Sequence, residues 1–231
     1  MNFKDCRIMK KYFLSPLFMP VVISVLWLGM MDVIFAFFPQ TLPAIAQDGG
    51  LIEKVTHVLY VLMLGFFIAY YKDFFRIRSD YFIFVFLGIC AFLREAGIQH
   101  HLTIHDSTPF KSRFFTNPDN PLSEKIIFGL VLFLVFGLVI RLAVRYSRYL
   151  IASFLKFRLI GWSSAVLCTM LVVAKFVDRF PSNFKHYTGE RLNPVMINNL
   201  MLIEETGEML LPLIVIIFLV QYHLLQKERW D

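Results

Sequence analysis

Charge is scarce in this sequence. Only 17% of its 231 residues are Asp, Glu, Lys or Arg, against 58% hydrophobic residues, and that ratio excludes an ordinary water-soluble domain. Cysteine is scarcer still. Cys6, Cys90 and Cys168 are odd in number, one in a basic tail and two within apolar runs, so neither a disulfide framework nor a cysteine metal site is expected. Strict in-out alternation over strand-length segments is missing, which argues against a transmembrane β-barrel. Also missing are a Gly-rich phosphate loop, a nucleophile motif and a phosphatase signature, so any chemistry has to come from scattered side chains.

What the chain does have is long apolar runs, 26 Phe and a mean hydropathy of +0.63. The runs cover about residues 13–38, 51–71, 81–98, 122–143, 159–180 and 199–225. A helix needs roughly 20 residues to cross a hydrocarbon core of ~30 Å, and these runs reach or approach that length. The expectation is an all-α integral membrane protein, a single six-helix bundle over residues 1–231. Ala44-Ile45-Ala46 has the small-residue pattern of a cleavage site, yet the run before it exceeds a signal-peptide core, so the first run is read as a retained span. Asn120-Pro121 predicts a helix start with Asn as cap, and Pro212 a kink in the sixth span.

A net charge of +6 raises the question of nucleic acid, but the basic residues flank the apolar runs, as topology requires. Fourteen of the 23 fall on one side of a six-span arrangement: Lys4, Arg7, Lys10, Lys11, Lys72, Arg76, Arg78, Arg141, Arg145, Arg148, Lys156, Arg158, Lys227 and Arg229. Both termini are therefore expected in the cytoplasm. The polar loops 99–121 and 181–194 would face outward, and the compact chain without added eukaryotic signals suits a bacterial inner membrane, with those loops in the periplasm.

This topology gathers charge in one layer. Leu202-Ile203-Glu204-Glu205-Thr206-Gly207-Glu208-Met209-Leu210-Leu211 opens an apolar helix with three carboxylates, and Glu53 and His57 open another. Asp32, Arg94, Glu95, Lys175, Asp178 and Arg179 close three more, so all would lie within about 15 Å of the outer end of the bundle. Ionisable groups at membrane depth are costly and mark functional sites by default. Seven carboxylates (Asp32, Glu53, Glu95, Asp178, Glu204, Glu205, Glu208) face four cations there (Lys54, Arg94, Lys175, Arg179), so part of the acid must be protonated, hydrated or metal-bound. Glu53 and His57 share a helix face at i, i+4, as do Glu204 and Glu208. Carboxylates and imidazole from separate helices make a ligand set compatible with a divalent metal, Zn, Mn or Fe. The i, i+3 Glu-His spacing of two-iron bundles is not matched.

The first polar loop holds His100, His101, His105 and Asp106, read as solvated loop residues, and the run Phe110-Lys111-Ser112-Arg113-Phe114-Phe115. Aromatics beside two cations suit an interfacial segment that touches lipid phosphate.

The leading expectation is a membrane-embedded hydrolase or transferase acting on a lipid or lipid-linked headgroup. In it Glu53, His57, Glu204 and Glu208 hold a metal or exchange protons, Glu95, Asp178 and Glu205 serve in catalysis, and Arg94, Lys111, Arg113 and Arg179 hold phosphate. A proton- or ion-coupled transporter and a non-catalytic assembly or sensor protein are the alternatives. The crowding of polar residues toward one face disfavours a relay across the membrane, unless a homo-oligomer supplies it.

Overall fold

Apolar runs without a strand period fold as helices, because only a helix satisfies all its backbone polar groups internally. In the computed structural model, which describes residues 11–37, 45, 49–98, 103 and 112–227, no strand occurs among the described residues. The elements in order are α1 (Phe18–Phe37), α2 (Leu51–Ala69), a 3-10 segment (Tyr71–Ile77), α3 (Arg78–Glu95), the short α4 (Ser112–Thr116), α5 (Leu122–Leu155), α6 (Leu159–Thr188) and α7 (Pro194–Lys227).

Five of them, α1, α2, α5, α6 and α7, are long and apolar enough to cross a membrane. The third expected span, α3, is an 18-residue helix but carries Arg78 and Asp80 in its first turn and Arg94 and Glu95 in its last. Its uncharged part, Tyr81 to Leu93, rises only about 20 Å.

Two helix ends differ from expectation. The chain does not leave α6 at Pro181: the helix continues to Thr188, held by a ladder of Phe176, Phe180 and Phe184 at i, i+4 with ring centroids 5.9 and 6.3 Å apart. It stops where Gly189 takes φ +75 and donates its N–H to the Lys185 carbonyl. The next helix starts at Pro194 rather than Asn199, with Asn193 Oδ1 accepting the Val195 N–H at 3.0 Å. At Asn120 the expected cap is absent. Its Nδ2 donates to the Phe114 carbonyl at 2.8 Å, and α5 begins only after Pro121. Pro212 lies buried inside an unbroken α7.

The chain divides into two compact units, one of Met1–Asp73 with Leu150–Asp231 and one of Phe74–Tyr149. In the first unit α7 is the hub, packing on α6, α2 and α1, and no residue from 198 to 226 is exposed. A helix apolar on all sides belongs in an interior. One core cluster joins Met19 and Ile23 of α1, Met170 of α6 and Leu210 and Ile214 of α7; another joins Ile52 of α2 to Leu202 of α7.

Polar pins fix these contacts. Thr206 Oγ1 accepts from Trp27 Nε1 at 3.0 Å, tying α7 to α1. Fully buried Gln221 accepts from Ser163 Oγ of α6 at 3.2 Å and donates to the Phe13 carbonyl at 2.8 Å. A buried amide of this kind is stable only with its partners in place.

Between α5 and α6 the turn is tight. Arg158 N–H reaches back to the Ser153 carbonyl at 2.8 Å, and Phe157 sits at φ 52 where glycine is usual. A Cβ on Gly161 would lie 2.2 Å from the Phe154 nitrogen, so only glycine fits there. Trp162 stacks obliquely on Phe154 and Phe157 at 4.7 and 5.0 Å.

In the second unit, Phe114 and Phe115 are the side chains of the aromatic-cationic run that fall within the described residues. Phe114 of α4 is buried, with its ring edge-on to Phe115 and to Phe128 of α5 at 5.2 and 5.7 Å, so it packs into the protein instead of standing free as an aromatic anchor.

Candidate functional site

The acid-rich opening of α7 is positioned by its neighbours. Gly207 faces Met170 and Ala174 of α6, which brings the next residue, Glu208, alongside Lys175. Lys175 Nζ lies 3.5 Å from Glu208 Oε1 and 3.2 Å from Asp178 Oδ2. The three form a triad that is graded in burial: the side chains are 11% exposed for Glu208, 37% for Asp178 and 49% for Lys175. A nearly buried carboxylate is thus tethered to a cation that reaches the surface. Glu204 and Glu205 lie half-buried one turn or less earlier on α7, and Arg179 is exposed on α6.

On α2, the i, i+4 pair is formed as the spacing predicts: His57 Nε2 is 3.6 Å from Glu53 Oε1. The other oxygen of Glu53 accepts the Gly49 N–H, so this carboxylate also closes the start of α2. Asp32 is exposed on α1. Among the described residues, no three or more of His, Cys, Asp and Glu are grouped so as to hold a metal ion. Glu53, His57, Glu204 and Glu208 therefore do not converge as the ligand set drawn from their spacing, Glu208 having turned to Lys175.

Arg94 and Glu95 close α3 in the second unit, whereas the other members of the expected layer belong to the first. Arg113 falls within α4. Lys111, together with His100, His101, His105 and Asp106, lies outside the described residues.

Two clusters went unsuspected in the sequence. In the second unit Asp80, completely buried in the first turn of α3, is surrounded by α5: Arg145 Nη1 lies 3.1 Å from both carboxylate oxygens, the Tyr146 hydroxyl donates at 2.5 Å and Arg141 Nη2 stands at 3.6 Å. In the first unit, His223 Nδ1 lies 2.7 Å from Asp73 Oδ2 while its ring stacks on Tyr70 with centroids 4.4 Å apart and planes at 12°. An i, i+4 spacing of arginines at 141 and 145 was the one available signal for the former. For the latter there was none, the partners being 150 residues apart.

A chain whose described elements are all helices, five of them apolar and of membrane length, with partly buried ionic clusters, has the make-up of a multi-pass membrane protein. No known protein family, characterised protein or solved structure matches it.

Proposed function

We propose that this chain is a six-span protein of a bacterial inner membrane, with both termini cytoplasmic, acting as a membrane-embedded hydrolase or transferase on a lipid or lipid-linked headgroup. The observation that carries the reading is the Lys175–Glu208–Asp178 triad, a buried acid joined through one ammonium to the bundle surface. In this reading Lys175 and Arg179 hold the anionic headgroup, Glu208 exchanges the proton with the attacking water or acceptor hydroxyl, and Asp178 keeps Lys175 in place. His57 and Glu53 are a second proton-transfer pair on α2, and Glu204 and Glu205 are further candidates for proton transfer on the same helix as Glu208. No metal is needed for these steps.

Counting α3 as the sixth span is supported by the pairing of Asp80 with Arg141 and Arg145, which offsets the cost of a carboxylate at the end of a short apolar helix. A relay across the membrane is disfavoured along α7, because Met209 to Val220 holds no titratable side chain over about 18 Å.

The test is lipid turnover. The full chain is reconstituted in vesicles of total bacterial phospholipid, and headgroup release or transfer is followed by mass spectrometry for wild type and Glu208→Gln. Turnover by wild type that falls at least a hundredfold in Glu208→Gln supports the proposal; no turnover of any lipid by wild type overturns it. Orientation is checked separately by labelling single cysteines introduced at positions 191 and 227, with Cys6, Cys90 and Cys168 replaced by Ser, using an impermeant maleimide in intact cells. Reaction at 191 alone is the expected pattern.

A further inference from the structure

We propose a second site, for the phosphate of an anionic phospholipid, built on α5 of the second unit and distinct from the triad. Arg141, Arg145 and Arg148 recur at i, i+4 and i+7, so all three lie on one stripe of α5. That stripe begins where the uncharged run Ile126 to Ile140 ends. Arg145 and Arg148 follow Arg141 by about 6 and 10 Å along the axis, which takes the stripe from the hydrocarbon edge into the headgroup layer.

Asp80 makes the stripe a built site rather than a run of surface charge. Its carboxylate is wholly buried, and Arg145 Nη1, Tyr146 Oη and Ser79 Oγ, at 3.1, 2.5 and 3.4 Å, occupy its oxygens. One carboxylate therefore fixes the position of two guanidiniums while neutralising only one of them. Each guanidinium has five N–H donors, of which Asp80 takes a minority, and the two side chains remain 51% and 48% exposed. Among the described residues Asp80 is the only acid paired with either arginine, and Arg148 has no ion pair. The surplus is a positive charge with pre-oriented, outward donors at headgroup depth, and a phosphodiester oxygen pair complements it. Lipid is favoured over a soluble phosphate because the flanking α5 residues Ile140 and Val144 are exposed and apolar, a surface for acyl chain.

Native mass spectrometry of the full chain in neutral detergent, titrated with phosphatidylglycerol and separately with phosphatidylcholine, tests the site. Phosphatidylglycerol is expected to bind preferentially, with a loss of about fivefold in affinity for each of Arg141→Gln and Arg148→Gln. Lys185→Gln, in the other unit, should leave binding unchanged. Both arginine variants keep Arg145 and Tyr146 on Asp80, so folding is preserved and is verified by circular dichroism. Equal binding of the two lipids, unchanged affinity in both arginine variants, an equal loss in Lys185→Gln, or displacement of the lipid by equimolar inorganic phosphate would each overturn the proposal.

Discussion

His223 Nδ1 and Asp73 Oδ2, 150 residues apart in sequence, meet at 2.7 Å and join α7 to the 3-10 segment that follows α2. Tyr70 covers one face of the imidazole, so ring and carboxylate are held together from two directions. Replacing Asp73 by Ala should lower stability by about 1 kcal/mol, the scale of a partly exposed hydrogen bond to a charged group. Thermal unfolding in detergent reads this, and His223→Ala should lose more, because it removes the Tyr70 stack as well as the bond to Asp73.

Lys175 is shared, and sharing predicts non-additivity. Lys175→Met takes the ammonium away from both Asp178 and the nearly buried Glu208, while Glu208→Gln removes one of the charges it compensates. The double variant should therefore be less unstable than the sum of the singles, by about 1 kcal/mol or more. A double-mutant cycle on thermal stability measures the coupling, and simple additivity would contradict the triad.

Asp80 is the more severe case. With 0% exposure and two arginines and a tyrosine around it, Asp80→Ala leaves cations facing one another with no acid between them. A loss of roughly 3–5 kcal/mol is expected, as for one partner removed from a buried ion pair. Expression and detergent-extracted yield should fall accordingly, and Asp80→Asn, which keeps the shape and accepts the Tyr146 hydrogen bond, should lose less.

Gln221→Leu should be costly for an opposite reason: nothing charged is lost, but the Phe13 carbonyl and Ser163 hydroxyl lose their partner in the interior. About 1–3 kcal/mol is expected. Ser163→Ala removes only one of the two bonds, so unfolding curves should rank it between wild type and Gln221→Leu.

Gly161→Ala places a methyl group 2.2 Å from the Phe154 nitrogen, and backbone cannot yield as a side chain can. The turn between α5 and α6 must open, at about 1–3 kcal/mol. Limited proteolysis should cut near Phe157 faster in this variant than in wild type, whereas Gly137→Ala, with open space around it, should behave as wild type.

Local patterns were legible and distant ones were not. Apolar length located the five membrane-length helices and the shorter α3, and the i, i+4 and i, i+3 spacings announced Glu53–His57 and Lys175–Asp178, because both partners sit on one helix. The contact of Lys175 with Glu208 depends on how α6 packs on α7, and no spacing in the sequence encodes that. Asp80 carries no such signal: close to Arg78 at a charged helix end, it reads as one more charge that topology alone explains. The extension of α6 through Pro181 was hidden for a related reason: a proline usually ends a helix, and here the helix runs on with Phe180 and Phe184 in contact across it. The capping expected at Asn120 occurs instead at Asn193, whose Oδ1 accepts the Val195 N–H, while Asn120 Nδ2 turns to the Phe114 carbonyl.

The enclosure of α7 has a consequence for biogenesis. This helix follows α1, α2 and α6 in the chain, so a ribosome delivers the hub after the parts arranged around it. Until it arrives, the Trp27 indole lacks its Thr206 partner and Lys175 lacks Glu208, and the earlier helices have an empty seat at their centre. The packing of α7 against α1, α2 and α6 is therefore the last to form, and a chain interrupted before Pro194 would leave those helices without their central partner.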